Sequence, residues 1–186
     1  GVTLVRTSSA SMFRFGRSAD VTGISGYTGF ENITFHGGTI DGQGAEHPNY
    51  TSTLIRFAHS QNVTLENMVL KNTSNSHHIE FAASQNVTIN NCVFSDYHGK
   101  NTSNNEAVQI ETLHKKHFGS YGKYDETPNK NVTVTNCTFQ NVQRGIGTHA
   151  GIVGCYFNGM KIENNTFINI PGCAIIATNY INSSIQ

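Results

Sequence analysis

One nine-residue pattern recurs along the chain, and it restricts the fold more than any other feature. Asn62-Val-Thr-Leu-Glu-Asn-Met-Val-Leu70, Asn86-Val-Thr-Ile-Asn-Asn-Cys-Val-Phe94, Asn131-Val-Thr-Val-Thr-Asn-Cys-Thr-Phe139 and Gly159-Met-Lys-Ile-Glu-Asn-Asn-Thr-Phe167 align without gaps. A fifth copy, Asn32-Ile-Thr-Phe-His-Gly-Gly-Thr-Ile40, has Gly where the others have Asn. A short alternating strand precedes each copy: Met12–Gly16, Leu54–Ala58, His78–Ala82, Ala107–Glu111 and Gly145–His149, with Ala174–Thr178 last. Such a unit cannot bury its apolar face alone. Stacked units can, because equivalent residues pile into columns.

The columns follow directly. Val63, Leu65 and Leu70 are expected under Val87, Ile89 and Phe94, then under Val132, Val134 and Phe139, with Ile162 and Phe167 continuing the last two. Asn67, Asn91, Asn136 and Asn164 are expected to form an amide ladder, each bonding its equivalent in the next coil. Parallel connections prefer the right hand. The predicted fold is therefore all-β, a right-handed parallel β-helix: a single-stranded solenoid of about five to six coils. A β-sandwich would need two-residue hairpin turns, and a leucine-rich repeat its own leucine spacing and a helical segment. None of these occurs.

Residues 1–186 read as one domain, with a long loop at 112–130. Gly1 opens at once on strand-like sequence and Tyr180 to Gln186 stop without a cap, so the chain is expected to be a segment of a longer helix, truncated at both ends. Twelve basic residues balance twelve acidic ones, which argues against nucleic acid as a partner. No apolar run reaches the roughly 20 residues that span a bilayer, so no membrane insertion is expected. Cys92, Cys137, Cys155 and Cys173 show no metal-ligand spacing and read as buried free thiols; no metal or other cofactor is expected.

Strand alternation sorts the short strands into two faces. One outward column reads Arg14, Arg56, Glu80, Gln109, Gly147, Ile176, and its neighbour Gly16, Ala58, Ala82, Glu111, His149, Thr178. A third reads Met12, Leu54, His78, Ala107, Gly145, Ala174, with His77, Glu106, Arg144 and Cys173 at the turn before. This register makes Glu111 a neighbour of His149, and Glu106 of Arg144. The small residues Ala58, Ala82, Gly145 and Gly147 predict a shallow trough suited to an extended polymer.

Paired acid and base groups tune each other's proton affinity, so Glu111 and His149 are the expected acid and base, with Glu80 or Glu106 as a second carboxylate. Arg144, Gln109, His77 and His78 are expected to touch substrate. The long loop adds His114, Lys115, Lys116, His117, Tyr121 and Tyr124, whose cations and rings suit uronate carboxylates and sugar faces. Arg56 beside Glu80 reads as an ordinary cross-strand ion pair. His36, His59 and His98 fall at turns and read as solvated. The many Asn-x-Ser/Thr triplets arise from the repeat itself.

The repeat Asn-Val-Thr-Ile-x-Asn-x-x-Phe and the segment Gly37-Gly-Thr-Ile-Asp-Gly42 resemble the pectin-lyase-like superfamily over nearly the whole chain. That superfamily includes pectate lyases, polygalacturonases, epimerases, phage tailspikes and non-catalytic surface adhesins. The resemblance implies an extracellular or cell-surface protein that binds an acidic polysaccharide such as pectin along this sheet. Gly37–Gly44 looks like the corresponding polygalacturonase segment, yet the Asp motif and Arg-x-Lys of those enzymes are absent. So is an Asp cluster for the calcium of many pectate lyases. Two readings follow: a polysaccharide lyase or glycoside hydrolase, or a carbohydrate-binding adhesin module. A passive stalk is a third.

Overall fold

The computed structural model describes residues 1–15, 23–100, 103–116, 118 and 121–186; Gly16 and His117 lie outside the described residues. Three parallel sheets run the length of the molecule. Sheet I comprises Phe13–Phe15, Ile55–Ala58, Ile79–Ala82, Glu106–Glu111, Arg144–Gly147 and Ile175–Ile176. Sheet II comprises Phe30–His36, Ser60–Glu66, Gln85–Asn90, Lys130–Thr135, Phe157–Glu163 and Tyr180–Ile181, with Ser184–Ile185 also paired to its fifth strand. Sheet III comprises Thr3–Val5, Thr39–Asp41, Val69–Thr73, Val93–Tyr97, Thr138–Gln140 and Thr166–Ile168.

The predicted register holds in the core. Leu65, Ile89, Val134 and Ile162 are successive partners in sheet II, as are Leu70, Phe94, Phe139 and Phe167 in sheet III. The phenylalanines stack face to face, with ring centroids 4.9 and 5.0 Å apart. Phe57 and Phe81 stack likewise beneath sheet I.

Asparagine marks the corners because they require left-handed backbone, which Asn tolerates better than other residues with a side chain. Asn67, Asn91, Asn136 and Asn164 all have φ between 51° and 59°. Asn91 Nδ2 donates to Asn67 Oδ1 at 2.7 Å, as expected. Asn136 instead donates to Asn90 Oδ1 at 2.8 Å, so the ladder steps sideways by one residue there. A second ladder, not expected from the sequence, links Asn32, Asn62, Asn86 and Asn131 through three bonds of 3.1 Å. At Gly42 and Gly44 backbone passes so close that a Cβ would sit 2.6 Å from the carbonyl oxygens of Asn72 and Thr73.

Several expectations for sheet I are corrected. His78 precedes the first strand residue, Ile79, so alternation does not extend back to it. It is buried, with its ring edge-on to Phe94 and Nε2 donating to Ser95 O at 2.9 Å. Burial lowers its pKa to about 4. Leu54 and Ala107, in the same expected outward column, are buried too. The trough over Ala58 and Ala82 is filled: Leu113, Phe118 and Tyr121 of the long loop pack onto these alanines and Ala83 as a second apolar cluster. His59 is fully buried rather than solvated. Of the four thiols, Cys173 is exposed.

Candidate functional site

The outward column of sheet I is as predicted: Arg14 pairs with Arg56, Arg56 with Glu80, Glu80 with Gln109, Gln109 with Gly147 and Gly147 with Ile176. Its first three residues line a cleft of about 400 Å³. Hydroxyls of Ser11, Thr51, Ser52, Thr53 and Ser76 form much of the wall, with His77 and Tyr121. Arg56 Nε lies 2.7 Å from Glu80 Oε2, which also accepts from Thr53 Oγ1 at 3.1 Å. The Arg56 guanidinium sits 4.2 Å above the Phe118 ring and 4.8 Å from the Tyr121 ring. Arg14 donates through Nε to the Tyr121 hydroxyl at 3.1 Å and has no carboxylate partner among the described residues. Glu80 is the one described carboxylate lining the cleft, against two guanidiniums.

The long loop makes this geometry. It leaves strand Glu106–Glu111, drops Leu113, Phe118 and Tyr121 onto the alanines, and so places two aromatic rings under the arginines. Burying those rings removes apolar surface from water. Tyr121 was expected to stack on a sugar; it is 1% exposed and serves as a support, with its hydroxyl toward Arg14. Of the other loop candidates, Lys115 and Lys116 are exposed and His114 and Tyr124 are half-buried, and none of these four lines the cleft.

The next two coils carry a second cluster. Glu111 and His149 do share one wall, yet they are not the closest pair. His149 Nδ1 bonds Glu106 Oε2 at 2.9 Å, while its Nε2 is 3.9 Å from Glu111 Oε2. Glu106 Oε1 takes Arg144 Nη1 at 3.2 Å, confirming that expected pairing. Glu111 accepts from Gln109 Nε2 at 2.7 Å and from its neighbour's amide, Thr112 N–H, at 2.8 Å. His77 donates from Nδ1 to the Glu106 carbonyl at 2.7 Å and stacks loosely on His149, with centroids 6.3 Å apart.

The electrostatics split the two acids. Burial raises Glu111 to about 7, opposed by the Thr112 amide and by His149. Burial would raise Glu106 too, but the His149 hydrogen bond and the charges of His77 and His149 bring it below its ordinary value. The Glu106 bond lifts His149 above its ordinary value against the cost of burial. Burial lowers His77 despite the pull of Glu80 and Glu106. Both carboxylates are inaccessible, at 0% exposed; the solvent-facing groups are His149 and Arg144, whose side chains are 22% and 20% exposed. Among the described residues no group of three or more His, Cys, Asp or Glu side chains is arranged to hold a metal ion.

Arg14 stands in the expected outward column, where the sequence reading assigned it no role, and the expected cross-strand ion pair of Arg56 with Glu80 is present. A signal was present: two like charges opposite each other on neighbouring strands are unfavourable unless something else holds them.

Residues 20–186 match the family model for the right-handed beta helix region, and the chain belongs to that family. No curated protein matches it. Two solved structures of PfbA, a surface adhesin of Streptococcus pneumoniae, are similar. One is 25% identical with TM-score 0.68, covering 88% of this chain and 42% of that one. The other is 24% identical with TM-score 0.77, covering 97% and 50%. This chain thus spans half or less of the PfbA chains it matches. A glycosyl hydrolase candidate from Parabacteroides merdae is 18% identical with TM-score 0.44, covering 94% and 74%.

Proposed function

We propose that this chain is a carbohydrate-binding module of a cell-surface protein, holding an acidic glycan along sheet I. The observation that carries this reading is the excess of cation among the described residues of the open cleft. Arg14 and Arg56 lie side by side on aromatic supports, and the one described carboxylate there, Glu80, is already neutralised by Arg56. A guanidinium without a carboxylate partner among the described residues suits a ligand carboxylate, and the surrounding hydroxyls suit sugar hydroxyls. The likeness to an adhesin supports a surface role. The test is calorimetric titration with oligogalacturonate, its methyl ester and a neutral glucan. Binding of the acid alone, weakened about tenfold or more by Arg14→Ala, is expected. Equal binding of acid and ester, or no binding of any, counts against it.

A second reading, cleavage of the same polymer, draws on the divergent proton affinities of Glu106 and Glu111. Glu111 would supply a proton and Glu106 would orient His149. The complete burial of both carboxylates favours the binding reading. Assays of reducing ends and of unsaturated product, on the wild type and on Glu111→Gln, separate the two: turnover lost in the variant would establish an enzyme.

A further inference from the structure

His59 follows strand Ile55–Ala58 with φ 53° and no exposed surface. Its Nδ1 lies 2.8 Å from the carbonyl oxygen of Gly26 and its Nε2 2.9 Å from that of Lys123. These carbonyls belong to segments 23–29 and 121–128, distant in sequence, which also bond one another. Lys123 N–H donates to Ile24 O at 2.9 Å, Gly26 N–H to Asp125 Oδ2 at 2.8 Å, and the Tyr27 hydroxyl to Pro128 O at 2.8 Å. Gly122 lies flat on the imidazole, where a Cβ would meet His59 Cδ2 at 2.5 Å.

A carbonyl oxygen only accepts, and a neutral imidazole has one N–H. A neutral ring would turn a lone pair toward one of the two oxygens. Both contacts are hydrogen bonds only when both nitrogens carry a proton. We propose that His59 is a proton-operated latch: protonated, it clasps both segments to the corner of the coil, and deprotonated, it lets one go.

Asp125 supplies the counter-charge, from the outer segment. Burial opposes its ionisation, but the Gly26 and Thr127 bonds and the His59 charge keep its carboxyl below the ordinary range. The other titratable groups on the described elements around the ring are Tyr27 on one segment, Tyr121, Lys123, Tyr124 and Glu126 on the other, and Arg56 on the preceding strand. The protonated form makes the extra bond, so the latch is complete where His59 carries both protons and incomplete where the ring is neutral. The segment with Gly26 stays tied to the corner through Gly29 N–H, which donates to His59 O at 2.7 Å, so the one released is the segment carrying Tyr121, the support of Arg14 and Arg56. The latch does not depend on what the cleft binds.

The Lys123 side chain is exposed while its carbonyl is held, so the Lys123–Tyr124 bond is open to trypsin only when the segment lifts. The whole chain is digested from about pH 5.5 to about pH 8.5, the range over which histidine side chains in general change charge. Rates are normalised to an unstructured lysine peptide, and the new terminus at Lys123 is followed by mass spectrometry. The normalised rate is expected to rise about tenfold across that range, the worth of one charge-assisted bond. His59→Asn should be cut fast at every pH, and Asp125→Asn should move the midpoint to lower pH. A flat wild-type profile, or a pH dependence surviving in His59→Asn, overturns the latch. If His59→Asn does not fold by circular dichroism, Asp125→Asn decides alone, and an unmoved midpoint overturns it.

Discussion

The imidazole of His149 joins two carboxylates of opposite character, with Nδ1 2.9 Å from Glu106 and Nε2 3.9 Å from Glu111. Glu106 is held ionised by its partners; Glu111 is held near neutrality by burial. These three residues therefore contribute to stability with different pH dependences.

The Glu106–His149 pair has a stability window. The lowered Glu106 contributes fully above its unfolded value of about 4.5 and is lost as pH falls through its folded value. The raised His149 contributes fully below about 6.5 and is lost as pH rises through its folded value. Urea denaturation should therefore find this contribution largest between those limits. Glu106→Gln, which strips Arg144 and His149 of their shared acid, should cost about 2–4 kcal/mol there and flatten both limbs. An unchanged pH profile in the variant would refute the assignment.

Glu111 works in the opposite sense to Glu106. Its folded value of about 7 means that the native state keeps a proton that the unfolded chain releases above about 4.5. The contribution of Glu111 to wild-type stability should fall by about 3 kcal/mol as pH rises through that interval. Glutamine keeps an acceptor for the Thr112 amide without titrating. Glu111→Gln should then match the wild type near pH 4.5 and exceed it near pH 8 by a similar amount, read as urea midpoints.

Arg14 and Arg56 should respond differently to truncation. Arg14 has no carboxylate partner among the described residues, so Arg14→Ala should weaken acidic-glycan binding while changing stability by less than about 1 kcal/mol. Arg56→Ala also abandons Glu80, whose side chain is 8% exposed, and should cost about 2–3 kcal/mol in addition. Paired melting and titration experiments read both. Equal stability losses would mean that Arg14 is structural.

The aromatic support is testable apart from the charges. Phe118→Ala opens a void against Ala58, Ala82 and Tyr121 and should cost about 3 kcal/mol of loop docking, whereas Phe118→Leu should cost about 1 kcal/mol. Because the loop is a local unit, the loss should appear as faster amide exchange in segment 112–116 and 121–128, with sheet II still protected.

The corner asparagines separate backbone from side-chain effects. Asn86 has φ 53° and donates to Asn62 at 3.1 Å. Asn86→Ala should lose about 1–2 kcal/mol of left-handed tolerance and about 1 kcal/mol of ladder bond. Asn86→Gly should recover the first part only. Chemical denaturation of both variants checks the difference.

The coil, its register and its buried columns were legible in the sequence because they depend on local rules. Alternation of period two fixes which side chains turn inward, and repetition fixes what lies above what, as with Leu65, Ile89 and Val134. The outward column from Arg14 to Ile176 followed from the same rules. The rules stop where a strand stops: His78 lies one residue before its strand, and its ring turned into the core.

What covers sheet I was decided by tertiary structure. The segment after Glu111 has no repeat, so nothing in its order foretold that Leu113, Phe118 and Tyr121 would fill the trough and carry the arginines. The closer approach of His149 to Glu106 than to Glu111 is likewise not fixed by strand register, which puts both acids beside its ring on one wall. Periodic packing is encoded residue by residue along the chain. The covering of a surface by a loop, and the pairing of charges beneath it, depend on contacts between segments whose separation no local pattern records.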